Sequence, residues 1–388
     1  MSLPTAARVG VLVLLGLATT ALADPDSPPP APAAHASHEP LPPIRHVFVL
    51  MLENQSYHAT FGSGSPAPYL ARTLPARGAL LTHYYAIGHA SLGNYIALVS
   101  GQAPNAATQL DCAVYEDFHA SAGGLDAHGQ LHGSGCVYPR SVVSLPDQLE
   151  AAGLTWMAYM EDMGSNPARE PATCGHVPLG ATEITNLASR GDQYAAKHDP
   201  FVYFHSIIDD QPRCDRHVVN LERLPQDLAS AATTANYTFI TPNLCSDGHD
   251  AQCIDGRVGG LAAIDRFLRT WVPRIEAAPA FRADGMLIIT FDESDGAGAE
   301  GSAACCGERA LPGARFQPGF SGPGGGRVGA VVLSRYVKPG TLSAVPYNHY
   351  ALLRTVEAIF GLAYLGYAAD EELRMFGSDV FSAAQPAP

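Results

Sequence analysis

Charge is scarce in this sequence. Only 15% of its 388 residues are Asp, Glu, Lys or Arg, and they are unbalanced, 23 basic against 37 acidic, for a formal net charge of −14 at pH 7. Such a chain has no nonspecific attraction for the phosphates of nucleic acid or for an anionic membrane surface. An acidic protein that acts on an anion must gather positive charge locally, so a bound cation is expected. No C-x-x-C pair occurs among the 8 cysteines, which argues against a thiolate metal cluster. The G-x-S-x-G elbow of one large class of serine hydrolases is missing, and there is no internal repeat. No apolar run reaches the roughly 20 residues of a membrane-spanning helix. What is abundant is core material: 47% of the chain is hydrophobic, which rules out a mostly disordered protein.

The first 23 residues read as a secretory signal. Arg8 is the only charge before the short apolar run 11–17, and Ala21-Leu22-Ala23 offers the small-x-small pattern of a signal peptidase site. Residues 24–43 are rich in Pro and Ala and read as a disordered linker, which leaves 44–388 as a single domain, soluble and secreted or periplasmic. An even number of cysteines in an exported chain predicts disulfides, with 105 possible pairings for eight. Cys245 and Cys253 are close enough in sequence to clip one loop. A bridge between the neighbours Cys305 and Cys306 would be strained, so each is expected to pair elsewhere.

Short apolar runs alternate with amphipathic ones, the pattern of a mostly parallel sheet covered by helices. Strands are expected at 46–52, 155–160, 237–241, 286–291 and 328–333, nearly continuous in apolarity as strands buried on both faces should be. Helices are expected at 145–152, 259–277 and 347–360; in the second, Leu261, Ile264, Leu268, Trp271 and Ile275 recur at three- and four-residue spacing. Stretches 110–138 and 297–327, rich in Gly, Pro and Cys, read as long loops held by disulfides.

Polar residues gather where strands end. The first strand runs into Glu53-Asn54 and the fourth into Asp292-Glu293, and ligands of open parallel sheets bind outside the carboxyl ends of strands. Three carboxylates and an amide oxygen form a hard set suited to one Mg, Ca or Mn ion; alternatively each pair caps the next turn. Ser91, in His89-Ala90-Ser91-Leu92-Gly93-Asn94-Tyr95, opens a helix expected over 95–100. A serine there is an N-cap or a nucleophile whose anionic substrate is held by free backbone N–H groups. His198, His249 and His349 follow strands or lie in loops, where a histidine can contact phosphate or protonate a leaving group.

Six segments together carry a resemblance. Residues 46–62 (HVFVLMLENQSYHATFG), 89–101 (HASLGNYIALVSG), 196–204 (AKHDPFVYF), 241–250 (TPNLCSDGHD), 287–293 (LIITFDE) and 348–361 (NHYALLRTVEAIFG) resemble, in order, the bacterial and fungal phosphoesterase family of acid phosphatases and phospholipases C, within the alkaline-phosphatase-like superfamily. The resemblance implies a three-layer α/β sandwich with disulfide-rich loops. It also implies a single divalent metal held by Glu53, Asn54, Asp292, Glu293 and the nucleophile Ser91. Ser91 would form a phosphoserine that water then hydrolyses, and His249 would protonate the leaving alkoxide or contact the phosphate. His198, His349, Asn94 and His89 would line the substrate. Many relatives carry His-Pro-Ser-x-Pro-Asn-Tyr at the nucleophile, whereas this chain has Ala90 and Gly93 at the proline positions, which is expected to loosen that turn.

The expected activity is therefore a secreted acid phosphatase acting on phosphomonoesters. Its rival is a phospholipase C on the same centre; the chain ends soon after Gly361, without the C-terminal domains of the large phospholipases, and it lacks an amphipathic basic helix. A binding protein with a decayed site would be expected to have lost some of Glu53, Asn54, Ser91, Asp292 and Glu293. Ser91-Leu92-Gly93 lacks the C/S-x-P-x-R context of a sulfatase. The partner expected is thus a small-molecule or lipid-headgroup phosphoester, with no nucleic acid and no stable membrane insertion.

Overall fold

Four of the expected strands are buried along nearly their whole length: His46–Leu52, Trp156–Met160, Tyr237–Thr241 and Gly285–Phe291. Side chains alternate between the two faces of a strand, so burial at consecutive positions requires cover on both faces, the condition that favours a parallel sheet. The computed structural model describes residues 41–382 and shows this arrangement. The signal segment and the linker as far as residue 40 lie outside the described residues.

The sheet has eight strands, ordered Thr341–Ser343, Ala79–Leu81, Ala330–Ser334, Gly285–Phe291, His46–Leu52, Tyr237–Thr241, Trp156–Met160 and Val218–Asn220. His46–Leu52 is central and pairs in parallel with Tyr237–Thr241 on one side and Gly285–Phe291 on the other. Ala330–Ser334 runs against its neighbours on both sides; it is the strand expected at 328–333. Helix Ser91–Ser100 packs against His349–Phe360, while Gly260–Ala277 packs against Pro279–Asp284. The apolar positions named for Gly260–Ala277 are buried, apart from Trp271 at its margin.

The structure differs from expectation at several places. Stretch 110–138 contains a hairpin, His119–Leu125 with Leu131–Ser134. Its small residues carry no β-branched signal, and its turn is held by Asp126, whose Oδ1 accepts from His128 and Gln130 N–H. The last long helix starts at His349 rather than 347, because Tyr347–Asn348 pairs with Tyr84–Tyr85 and Asn348 Oδ1 caps the helix by accepting from Ala351 N–H. All eight cysteines are paired: Cys112–Cys136, Cys174–Cys214, Cys245–Cys253 and Cys305–Cys306. The last pair corrects the expectation that neighbours would bridge elsewhere, since the fold gives every other cysteine a buried partner. No helix among the described residues is long and apolar enough to cross a membrane.

Candidate active site

Strand register assembles the site. Leu52 stands opposite Phe291 in the parallel ladder, so Glu53-Asn54 and Asp292-Glu293 leave the sheet side by side at its carboxyl edge, with Asp292 N–H donating to Leu52 O at 2.9 Å. The loop after Tyr237–Thr241 joins them, its Asp247 O accepting from Glu53 N–H at 3.0 Å. Asn54 donates to both partners across the gap, from its backbone N–H to Asp292 Oδ1 and from Nδ2 to Glu293 Oε1, each 3.2 Å. This conformation needs a positive φ of 47° at Asn54, and Asn tolerates that region better than most residues.

Glu53, Asp292 and Glu293 are all buried, and like charges brought together out of water repel strongly. Burial, then Glu53 and Glu293, push the Asp292 carboxyl well above its ordinary range. Burial likewise raises Glu293, partly offset by His89. At Glu53 burial is outweighed by His198, Lys197 and Tyr95, which leave it lowered to about 2. Asn54 Oδ1 and Asp292 Oδ2 are buried and accept no hydrogen bond from the protein. Orphaned oxygens beside crowded carboxylates fit a hard divalent cation, which would take up both the lone pairs and the charge. Glu53, Asn54, Asp292 and Glu293 are thus the residues able to hold one.

Ser91 enters from the other side. The structure starts its helix at Ser91, four residues before the expected position, and Ser91 Oγ donates to Glu53 Oε2 at 3.0 Å. One turn later Tyr95 OH donates to Glu53 Oε1 at 2.5 Å. Asn94 shapes the approach: its Oδ1 accepts from Ile87 and Gly88 N–H, and its Nδ2 donates to Gly88 and Ala90 O. Both its polar atoms are engaged by its own turn, so Asn94 holds the backbone around the nucleophile.

Ala90 sits at φ 78°, ψ 122°, outside the regions open to L-residues and far from the φ near −65° that proline imposes. The turn is therefore a different backbone from the proline-bearing one, locked by Asn94 rather than loosened. Gly93 is closely packed: a Cβ there would come 3.2 Å from the Pro104 ring, which would have to shift by a few tenths of an ångström. Ala90→Gly is expected to stabilise the protein by about 1 kcal/mol, and Ala90→Pro to destabilise it by about 3 kcal/mol or more. Thermal melts that rank the two variants in the opposite order would show that the turn is not strained.

The histidines divide. His198 Nε2 lies 3.3 Å from Glu53 Oε1 and Nδ1 lies 3.7 Å from Asp247 Oδ2, with the ring stacked on Tyr95. His89 Nδ1 meets Glu293 Oε2, and its Nε2 faces Gly301 O at 2.8 Å and Ser302 Oγ at 3.1 Å, which makes stretch 297–327 a wall of the site. His349 is buried; Nε2 donates to Asp292 O at 2.6 Å and Nδ1 meets Tyr84 OH at 3.1 Å. Burial lowers it to about 4, which gives a neutral ring with both nitrogens engaged, one of them on the backbone of Asp292. His249 is half exposed and pairs with Asp250 at 2.8 Å. The residue of that motif that reaches the cluster is Asp247.

Three residues of the site went unremarked in the sequence. Tyr95 donates to Glu53, and Asp247 lies beside His198 as described. Lys197 Nζ pairs with Asp111 Oδ2 at 3.0 Å, and Asp111 Oδ1 accepts from Leu92 N–H in the first turn of the Ser91 helix. The available signal was rarity: Lys197 and Lys338 are the only lysines of the chain.

Asp199, next on the same turn, is fully buried and accepts from Phe201 N–H and Tyr194 OH, each 3.2 Å. Burial raises its carboxyl to about 7. Because the folded value exceeds the unfolded one near 4, this group's contribution to stability is complete below about pH 4 and is lost as pH rises through 7. Asp199→Asn is expected to remove that loss, gaining on wild type with pH by on the order of 4 kcal/mol at most above pH 7. Urea unfolding at pH 4, 5.5 and 7.5 measures it, and a gap that does not change with pH would contradict it.

Residues 65–363 match the model of the Phosphoesterase family. The chain is 25% identical to an acid phosphatase of Aspergillus fumigatus over 94% of its own length and 67% of that protein. It is 27% identical to a phosphatidylinositol-3-phosphatase of Mycobacterium tuberculosis over 85% of its length and 81% of that protein. Against a fungal phosphate-repressible acid phosphatase it spans 54% of the relative's length. A Vibrio parahaemolyticus protein of the alkaline phosphatase superfamily aligns over 89% of this chain and 72% of its own, at 13% identity and a TM-score of 0.47.

Proposed function

Since the chain belongs to the Phosphoesterase family, we propose that it is an exported, metal-dependent phosphomonoesterase working through a phosphoserine on Ser91. One observation carries this reading: the Ser91 hydroxyl, at the first position of a ten-residue helix, lies 3.0 Å from Glu53 at the edge of a buried carboxylate cluster. Glu53, by accepting the Oγ proton, aims the oxygen's lone pairs away from itself. The helix N-terminus presents the positive end of its dipole to an incoming anion, with Leu92 N–H taken by Asp111. A divalent ion held by Glu53, Asn54, Asp292, Glu293 and Ser91 would supply the charge that lowers the serine pKa and steadies the phosphoryl oxygens. Attack in line yields phosphoserine and releases the alcohol, and water restores the serine. His249, exposed at the rim of the Asp247 loop, is assigned to give the leaving oxygen its proton.

Export rests on the signal-like segment 1–23 and on four disulfides, which persist in oxidising compartments. A second reading concerns only the substrate: the mycobacterial relative, most of whose length this chain spans, favours the phosphate monoester of a lipid headgroup. The test is hydrolysis of p-nitrophenyl phosphate, phosphatidylinositol 3-phosphate and p-nitrophenyl phosphorylcholine, with and without chelator, between pH 5 and 8. Chelator-sensitive turnover of either monoester with little of the diester is expected. Preference for the choline diester would make the protein a phospholipase C, and no turnover by metal-loaded protein would refute the enzyme altogether.

A further inference from the structure

The site holds more negative than positive charge. Glu53, Asp292, Glu293, Asp247 and Asp111 lie within it or on its rim, yet the proposed substrate is a phosphate dianion. His349 is neutral and His89 is spent on Glu293 and Gly301. Among the described residues of the site, one permanent cation remains. Lys197 is buried apart from about an eighth of its side chain, with an exposure of 13% against 23% for its partner Asp111. An ammonium has three donors, and one goes to Asp111 Oδ2. Among the described residues only Asp111 accepts a hydrogen bond from it, which leaves two donors for a ligand or solvent at its exposed edge.

Its position is fixed from two directions. Asp111 bridges Lys197 to Leu92 N–H, the residue after the nucleophile; it adopts a positive φ of 50° to do so and is followed directly by the Cys112–Cys136 disulfide. On the other flank, His198 of the same turn stands 3.3 Å from Glu53 and 3.7 Å from Asp247.

We propose that Lys197 is the cation that receives the phosphoryl group, its two free donors binding non-bridging oxygens of the substrate beside the first turn of the Ser91 helix. This inference rests on the phosphomonoesterase reading above. It makes Lys197 a specificity residue as well, because a fixed charge favours a monoester dianion over a diester monoanion.

The test compares wild type, Lys197→Met, Lys197→Arg and Asp111→Asn, all metal-loaded, on p-nitrophenyl phosphate and on bis-p-nitrophenyl phosphate. Lys197→Met is expected to lose about 100-fold in kcat/KM on the monoester and at least about tenfold less than that on the diester. Inhibition by inorganic phosphate should weaken about tenfold or more, through the loss of the charge-assisted contacts from Lys197. Lys197→Arg should restore most of both. Asp111→Asn keeps an oxygen for Leu92 N–H and frees the ammonium, so phosphate should bind at least as tightly as in wild type. Equal losses on the two substrates, unchanged phosphate inhibition, or an Asp111→Asn defect matching Lys197→Met would overturn the assignment in favour of a structural pair. Should wild type hydrolyse neither ester, the phosphomonoesterase reading fails instead. Calorimetric titration of phosphate into wild type and Lys197→Met would then decide Lys197 alone, equal affinities refuting it.

Discussion

Replacing Ser91 with alanine is expected to lower turnover of a phosphomonoester by about 10⁴-fold or more, the scale on which nucleophile deletions act in enzymes that use a covalent intermediate. The fold should survive. Ser91 is buried but small, alanine is the best helix former, and the single hydrogen bond lost is worth about 1 kcal/mol. Glu53 keeps Tyr95 OH on Oε1, and only its Oε2 loses a donor. The informative experiment is a pair: steady-state rates, and acid quenching after brief exposure to substrate followed by mass spectrometry of the peptide containing Ser91. Wild type should show the mass of one phosphoryl group on that peptide and Ser91→Ala none. Residual activity above a trace in the alanine protein would mean that water, not Ser91, attacks phosphorus.

Asp292→Asn should act in opposite directions on metal-free and metal-loaded protein. Without metal, the Asp292 carboxyl is pushed well up by burial and by Glu53 and Glu293. A raised folded pKa means that its contribution to stability is present at low pH and lost as pH rises. The neutral amide avoids that loss, so metal-free Asp292→Asn should melt above metal-free wild type by a few degrees, at about 2 °C per kcal/mol for a chain of this size, and by more at pH 8 than at pH 5. With metal the order should reverse, because the variant lacks a charged ligand and an anionic oxygen that has no other partner. Its affinity for Mg, Mn or Ca is expected to fall by about 100-fold or more. Thermal melts across pH with and without chelator read both effects. A variant that melts below wild type in chelator, or that binds metal as tightly, would remove Asp292 from the ligand set.

Fold class was legible because burial on both faces writes itself into a strand as unbroken apolarity. His46–Leu52 and Tyr237–Thr241 stand where that pattern places them. The same pattern cannot register small residues. His119–Leu125 pairs with Leu131–Ser134 through backbone hydrogen bonds, with little apolar side chain to announce it. Direction was also hidden, since Ala330–Ser334 is as apolar as its parallel neighbours and nevertheless runs against them.

The chemistry of the site was legible as residue types at strand ends, Glu53-Asn54 and Asp292-Glu293 above all. Their meeting was not, because it depends on the parallel register that sets Leu52 against Phe291, a pairing between residues 239 apart in sequence. The roles of the polar residues were decided only when the chain closed. Nothing in the local sequence distinguishes Asn94, whose amide is consumed by its own turn, from an asparagine free to bind phosphate. His349 and His249 look alike in sequence, yet burial neutralises the first against Asp292 O and leaves the second in solvent beside Asp250. Lys197 offered only its rarity. Composition and periodicity act through local burial, which a chain records residue by residue, whereas charge, protonation and reach depend on distances across the sheet edge, and those exist only in the folded molecule.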